Sequence, residues 1–317
     1  MPPGTAGVSF LSAHTRSQGL VSVATKARQG YAPAAGVELY YRDVGEGQPI
    51  VVAHGGPDFD HTYLLPDLDR LASGYRLVYY DQRGRGRSRG KPDLDHLSIE
   101  QYVEDLEALR RHLGLERIAV LGHSWGGLVA LHYALRAPER TSHLVLMNSS
   151  PASHADLLLL REERLRRRAP HDRNLSALMP GYARGEPDAV SEFYRIDFGT
   201  TFWRLEDAER LRLRWSREDI ESGRAIEKRL QQGLIWSEGY DLLPELAAVR
   251  APTLVIHGDY DFVPIECSEH IAQAIAGARL VVLPDSGHFS YIDAPDQVRH
   301  ALDRFFAARA PARPAHR

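Results

Sequence analysis

The hexapeptide Gly122-His123-Ser124-Trp125-Gly126-Gly127 constrains this chain more than any other feature. It stands between an apolar run at residues 118–121 and an apolar helical segment at residues 128–135. A serine flanked by glycines in that context predicts a strand that turns sharply into a helix and holds the hydroxyl at the tip. Two later strand ends carry acid–base residues. The run 253–257 leads into Gly258-Asp259-Tyr260-Asp261, and the run 281–283 leads towards Asp285-Ser286-Gly287-His288. A serine hydroxyl at neutral pH is a weak nucleophile unless an imidazole takes its proton during attack, and His288 is the candidate base. The imidazolium so formed needs a carboxylate on its other nitrogen, to fix the tautomer and stabilise the charge. Asp261 is the preferred acid, with Asp259 as its competitor two residues away.

Acyl transfer also needs backbone N–H groups aimed at the oxygen on which negative charge develops. One donor comes from the residue after the serine, here Trp125, and the other from a loop after an early strand. The run 50–53 followed by His54-Gly55-Gly56-Pro57 supplies that loop, with Gly56 as the expected donor. This tetrapeptide, then Asp81-Gln82-Arg83-Gly84-Arg85-Gly86-Arg87-Ser88, then the serine hexapeptide, resemble the three signature blocks of the proline iminopeptidase family, which are serine aminopeptidases of the α/β-hydrolase fold. The order Ser, Asp, His along the chain is that of triads in this fold. The resemblance implies a mostly parallel central sheet with helices on both faces and an inserted helical lid. It implies Ser124, Asp261 and His288 as the triad, Gly56 and Trp125 as oxyanion donors, and neither a metal nor an organic cofactor. The implied reaction releases an N-terminal residue from small peptides or amides through an acyl-enzyme on Ser124.

Two positions depart from the family pattern. Members that trim N-terminal residues hold a glutamate directly after the triad aspartate, where it helps to bind the substrate ammonium; this chain has Phe262. The family's first block ends in a glycine, where this chain has Asp58. Asp58 reads either as a turn residue standing in for that glycine, since Asp tolerates left-handed backbone, or as a carboxylate at the cleft mouth. Glu227 and Glu238 are candidates for the second ammonium-binding acid that the family carries in its lid. Phe262 therefore predicts weak discrimination between free and blocked amino termini, and it keeps a carboxylesterase, lactonase or thioesterase on a small apolar substrate as an alternative. A non-catalytic ligand receptor on the same fold is a second alternative, opposed by the intact Ser, Asp and His.

With 317 residues and 43% hydrophobic content, the chain is long enough for one large core carrying an insertion. Residues 30–150 and 248–310 read as the α/β-hydrolase core, 151–247 as the helical lid, 1–29 as a disordered leader and 311–317 as a tail. A formal charge of −3 offers no electrostatic footprint for nucleic acid or anionic membranes, so the expected partner is a small molecule or short peptide. The basic cluster Arg83, Arg85, Arg87, Arg89 and Lys91 reads as a structural loop. No apolar run of about 18 residues is present, so no transmembrane helix is expected. Cys267 is the only cysteine, which rules out an intramolecular disulfide and fits a small packing residue. The first 29 residues lack a secretory apolar run, and a cytoplasmic location is expected. The oligomeric state stays open.

Helical spacing covers 64–72, 99–113 with a Ser98 cap and Gly114 stop, 156–168 and 206–214. The arginine-rich stretch from Arg164 to Arg168 reads as the solvated side of a lid helix. His54 and His123 read as hydrogen-bonded structural residues, and His257 as a packed one. The lid holds Trp203, Trp215 and Trp236 together with Phe193, Tyr194, Phe198, Phe202 and Tyr240. Most should be core, but a lid over a catalytic serine walls the pocket, and Tyr194, Phe198 and Trp203 are the residues expected to reach substrate, along with Asp58 and Phe262.

Overall fold

Alternate residues of a strand face opposite sides, so a run that is apolar throughout demands cover on both faces. In the computed structural model, which describes residues 8–10, 27–233 and 237–308, that demand is met by a nine-stranded sheet between two helical layers. In chain order the elements are β1 (Val8–Phe10), β2 (Arg28–Ala34), β3 (Val37–Val44), β4 (Pro49–Ala53), β5 (Arg76–Tyr80), α1 (Ile99–His112), β6 (Ile118–His123), α2 (Trp125–Arg136) and β7 (Thr141–Met147). The lid helices α3 (His154–Arg168), α4 (Asp172–Ala183), α5 (Pro187–Gly199) and α6 (Arg217–Gln231) follow. The chain then re-enters the core with β8 (Thr253–Gly258), α7 (Ile265–Ala274), β9 (Arg279–Leu283), α8 (Ser290–Asp293) and α9 (Pro295–Ala307).

The strand order is β1-β9-β8-β7-β6-β4-β5-β3-β2, parallel except for the β5–β3 and β3–β2 pairs. Val51, Val78, Val120, Leu144 and Val255 face the layer holding α1, α2 and α7. Their strand neighbours Val52, Leu77, Leu121, Val145 and Leu254 face the layer holding α9 and the 3₁₀ turns after β4. Burying one such aliphatic side chain contributes roughly 1.5–3 kcal/mol. β4 lies between β5 and β6, so successive connections leave the sheet in opposite directions there. The crevice at such a switch point, outside the carboxyl ends of the strands, is where ligands bind in open α/β sheets.

Several elements differ from the sequence expectation. Val8–Phe10, within the leader expected to be disordered, pairs in parallel with Leu280, Val281 and Val282 at the sheet edge. Arg28 and Gln29 already belong to β2; residues 1–7 and 11–26 of that leader, and the 311–317 tail, lie outside the described residues. The expected helix over 64–72 is two 3₁₀ turns, His61–Leu64 and Leu68–Ser73. Pro66 between them disfavours helical backbone at Leu65, which is extended at φ −101° and ψ 148°. In the lid, a 3₁₀ turn at Leu205–Arg210 replaces the helix expected over 206–214, while α4, α5 and α6 fall within the helical lid expected over 151–247, where the sequence had not bounded them individually. The arginine stretch of α3 is solvated only in part: Arg166 is exposed, whereas its other arginines are largely covered. Arg164 and Arg168 both pair with the buried Asp197 of α5, and Arg167 turns towards the core. Among the described residues, no helix is long and apolar enough to cross a membrane.

Candidate active site

The hexapeptide forms the sharp turn its glycines predict. Ser124 sits between β6 and α2 with φ 54° and ψ −122°, and it is only partly buried. A Cβ at Gly126 would lie 2.0 Å from the carbonyl oxygen of Ala53, so glycine alone lets α2 start against the end of β4. This close approach sets the first loop beside the serine. A Cβ at Gly55 would meet Ser124 Cβ at 3.1 Å. Gly55 N–H donates to Tyr63 Oη at 2.7 Å. Among the described residues the N–H groups of Gly56 and Trp125 take no partner, and both residues line one narrow cavity with Leu128, Pro151, Leu157, Leu160 and Tyr240. The left-handed conformation of this loop falls on Gly56, at φ 127°; Asp58 is not left-handed, so its reading as a glycine substitute is corrected.

Asp261 and His288 meet across the ends of β8 and β9. His288 Nδ1 lies 2.9 Å from Asp261 Oδ1 and 3.2 Å from Oδ2, and both residues are buried. Asp261 also accepts from Val263 N–H at 3.0 Å and from Asn148 Nδ2 at 2.8 Å. Burial alone would raise the Asp261 carboxyl, but the His288 imidazole beside it more than offsets this and holds it well below the ordinary carboxylate range. Asp259 is exposed and instead accepts from Ser286 N–H at 3.2 Å. Asn148, at φ 49° after β7, was not singled out in the sequence; its place at a strand end was the available signal.

His123 is structural, as expected, and its tautomer is fixed. Tyr63 Oη accepts from Gly55, so its own proton goes to His123 Nδ1 at 2.7 Å, and His123 Nε2–H donates to the carbonyl of His288 at 2.9 Å. Burial, reinforced by the His288 charge, pushes His123 down to about 3. Tyr63→Phe leaves two buried polar groups without partners and should destabilise the fold by about 1–3 kcal/mol. Urea unfolding with an unchanged m-value checks this. Gln82 ties the second block to the same place, donating to the His54 carbonyl at 2.7 Å and accepting from Trp125 Nε1 at 3.0 Å. His257 bonds Ser268 at 2.9 Å, and Cys267 is buried. In the basic cluster, Arg83 pairs with Asp105 while Arg87 and Arg89 lie over Tyr40 and Tyr31.

The aromatic wall combines core and lid. Phe262 is buried with its ring 4.4 Å from that of His288. Phe198 packs edge-on against Phe289 and Phe59 and stacks on Tyr194. Trp215 joins Tyr194 at 4.8 Å. Trp203 takes no part in this cluster; it is 47% exposed, its ring packs edge-on against Tyr260 and its backbone N–H donates to Asp293 Oδ2 at 3.5 Å. Trp236 lies outside the described residues. Tyr194 Oη donates to Asp58 Oδ2 at 2.8 Å, and Asp58 lies against Gly223 of α6. Burial, and then the charge of Asp58, raise the half-buried Glu227 against the pull of Arg164. Among the described residues neither Asp58 nor Glu227 forms an ion pair, whereas Glu238 is exposed. One group of potential metal ligands, Asp60, His61 and Asp81, stands within 4.8 Å. Asp81 already accepts from His61 Nδ1 at 2.6 Å and from Arg87 N–H at 2.8 Å, and Asp60 accepts from Thr62.

A strained serine turn beside a glycine loop and a buried carboxylate–imidazole pair, all at the carboxyl ends of the central strands, fit a hydrolase of the α/β type, and the chain belongs to the alpha/beta hydrolase fold family, whose family model matches residues 48–295. Within that family it is similar to proline iminopeptidases. One from Saccharolobus solfataricus is 28% identical over 299 residues, covering 87% of this chain and 91% of that protein. One from Lactobacillus helveticus is 30% identical over 287 residues, covering 85% and 94%. The solved proline iminopeptidase-related protein from Thermus thermophilus superposes with a TM-score of 0.68 at 28% identity, covering 89% of this chain and 98% of that one.

Proposed function

We propose that this hydrolase releases an N-terminal residue from small peptides or amides through an acyl-enzyme on Ser124. With Nδ1 held by Asp261, His288 offers Nε2 to the serine. As Ser124 Oγ bonds to the substrate carbonyl carbon, its proton passes to Nε2; the same proton then goes to the leaving amine as the C–N bond breaks. Water repeats the sequence and frees the acyl group. The N–H groups of Gly56 and Trp125 take the negative charge of both tetrahedral intermediates, and the narrow apolar cavity they line suits a small acyl group such as a prolyl or alanyl residue.

The observation that carries the aminopeptidase reading is the pair Asp58 and Glu227. Among the described residues both carboxylates lack a salt-bridge partner, and one sits two residues past the oxyanion glycine. A substrate ammonium would supply the missing cation, in place of the family glutamate that Phe262 displaces. Asp58→Asn combined with Glu227→Gln should lower kcat/KM for proline and alanine arylamides by about 10–100-fold and leave a short nitrophenyl ester within about twofold. Steady-state kinetics on free and N-acetylated arylamides reads this directly. Equal turnover of the free and acetylated forms by the parent protein would favour the esterase, lactonase or thioesterase alternative, for which Phe262 is the specific argument.

A further inference from the structure

The acid and base loops are built partly by the lid. Arg167 of α3 spends its guanidinium on three backbone carbonyls: Nη1 donates to Thr200 and Tyr260, each at 3.0 Å, and Nη2 donates to Asp261 at 2.9 Å. Its Nε donates to Glu163 at 2.6 Å, its carbon lies 4.6 Å from the Tyr260 ring centre, and its side chain is 12% exposed. The next residue of the same turn, Thr201, accepts the N–H of His288 with both its carbonyl and its hydroxyl oxygen, each at 3.2 Å. A Cβ at Gly287 would sit 1.6 Å from that carbonyl, so the base loop closes on the lid as tightly as backbone allows. One planar cation therefore bridges the segment that holds His288 and the turn that carries Asp261. A five-donor fork in fixed geometry is suited to this, and a lysine ammonium is not.

We infer that Arg167 is a positioning residue, which sets the separation of Asp261 and His288 from the lid side, so that helix α3 is a strut of the reacting centre. This rests on the serine-hydrolase reading of Ser124, Asp261 and His288. Reacting groups displaced by about 1 Å can cost on the order of 10²-fold in rate, and loss of the bridge frees two loops at once.

The test uses the full chain and a fluorophosphonate probe, whose phosphorus forms a bond to Ser124 Oγ as fluoride leaves and the serine proton passes to His288. Arg167→Ala should lower the maximal labelling rate kinact about 10-fold or more, with the half-saturating probe concentration KI within about twofold. Guanidinium at tens of millimolar should restore part of kinact, and Arg167→Lys should fall between the two. A folded Arg167→Ala with kinact within about twofold of the parent overturns the inference, as does a loss confined to KI or one that neither guanidinium nor lysine recovers. Should Arg167→Ala fail to fold, Arg167→Lys decides: reduced kinact at constant KI supports the role and unchanged kinact overturns it. If the parent protein itself is not labelled at Ser124, the serine-hydrolase reading fails first, a result distinct from a labelled parent with an indifferent Arg167 variant.

Discussion

Ser124→Ala should lower turnover by at least about 10³-fold, and His288→Ala should cost a similar factor, with the double variant little worse than either. The three outcomes are linked because the hydroxyl and the imidazole act as one unit: without a base the oxygen cannot lose its proton, and without the oxygen the base has nothing to activate. The serine substitution should not move the melting temperature. Ser124 already adopts the unfavourable φ of 54°, and alanine bears the same backbone strain. Steady-state rates on a nitrophenyl ester and an alanine arylamide, with thermal melts of each variant, separate lost chemistry from lost folding. Near-parental turnover by Ser124→Ala would remove this residue as the nucleophile.

Asp261→Asn should reduce turnover by about 10³-fold or more, whereas Asp259→Asn should stay within about threefold, the range expected of an exposed side chain away from the reacting atoms. Asp261 accepts from Val263 N–H, Asn148 Nδ2 and His288 Nδ1. An asparagine must turn its two amide hydrogens towards one of those donors. If they face His288, the ring is driven to the tautomer that carries its hydrogen on Nε2, and it can no longer take the serine proton. Asp259 only caps Ser286 N–H, and an amide oxygen does that equally well. Parallel kinetics of the two variants decides the assignment; the reverse order of losses would move the acid to Asp259.

The elements that carry the proposed chemistry were legible because each is a local pattern with one available meaning. An apolar run ended by glycines places a serine, an aspartate or a histidine at a strand end, and a mostly parallel sheet brings all strand ends to one edge. The sequence favoured Asp261 over Asp259 without removing the competitor, since both follow the same strand within three residues. Pro66 was a visible reason to doubt the helix over 64–72, whereas nothing in the short Val8–Phe10 segment announces a partner in β9. The family glutamate replaced by Phe262 suggested that no anion awaits an ammonium. Only the docking of α6 against the first loop set Glu227 and Asp58 into each other's field.

The sequence by itself determined the fold, the serine turn, the glycine loop after β4 and the strand ends that bear Asp261 and His288, because hydrophobic periodicity and backbone freedom act over a few residues. Tertiary structure decided what surrounds them. Tyr63 and His123 are 60 positions apart and Arg167 and Asp261 are 94 apart, distances over which no spacing rule operates. An arginine on an amphipathic helix is written identically whether it faces water or the backbone of a catalytic loop. The difference is desolvation, which exists only once the lid has packed and the guanidinium has exchanged water for carbonyl oxygens.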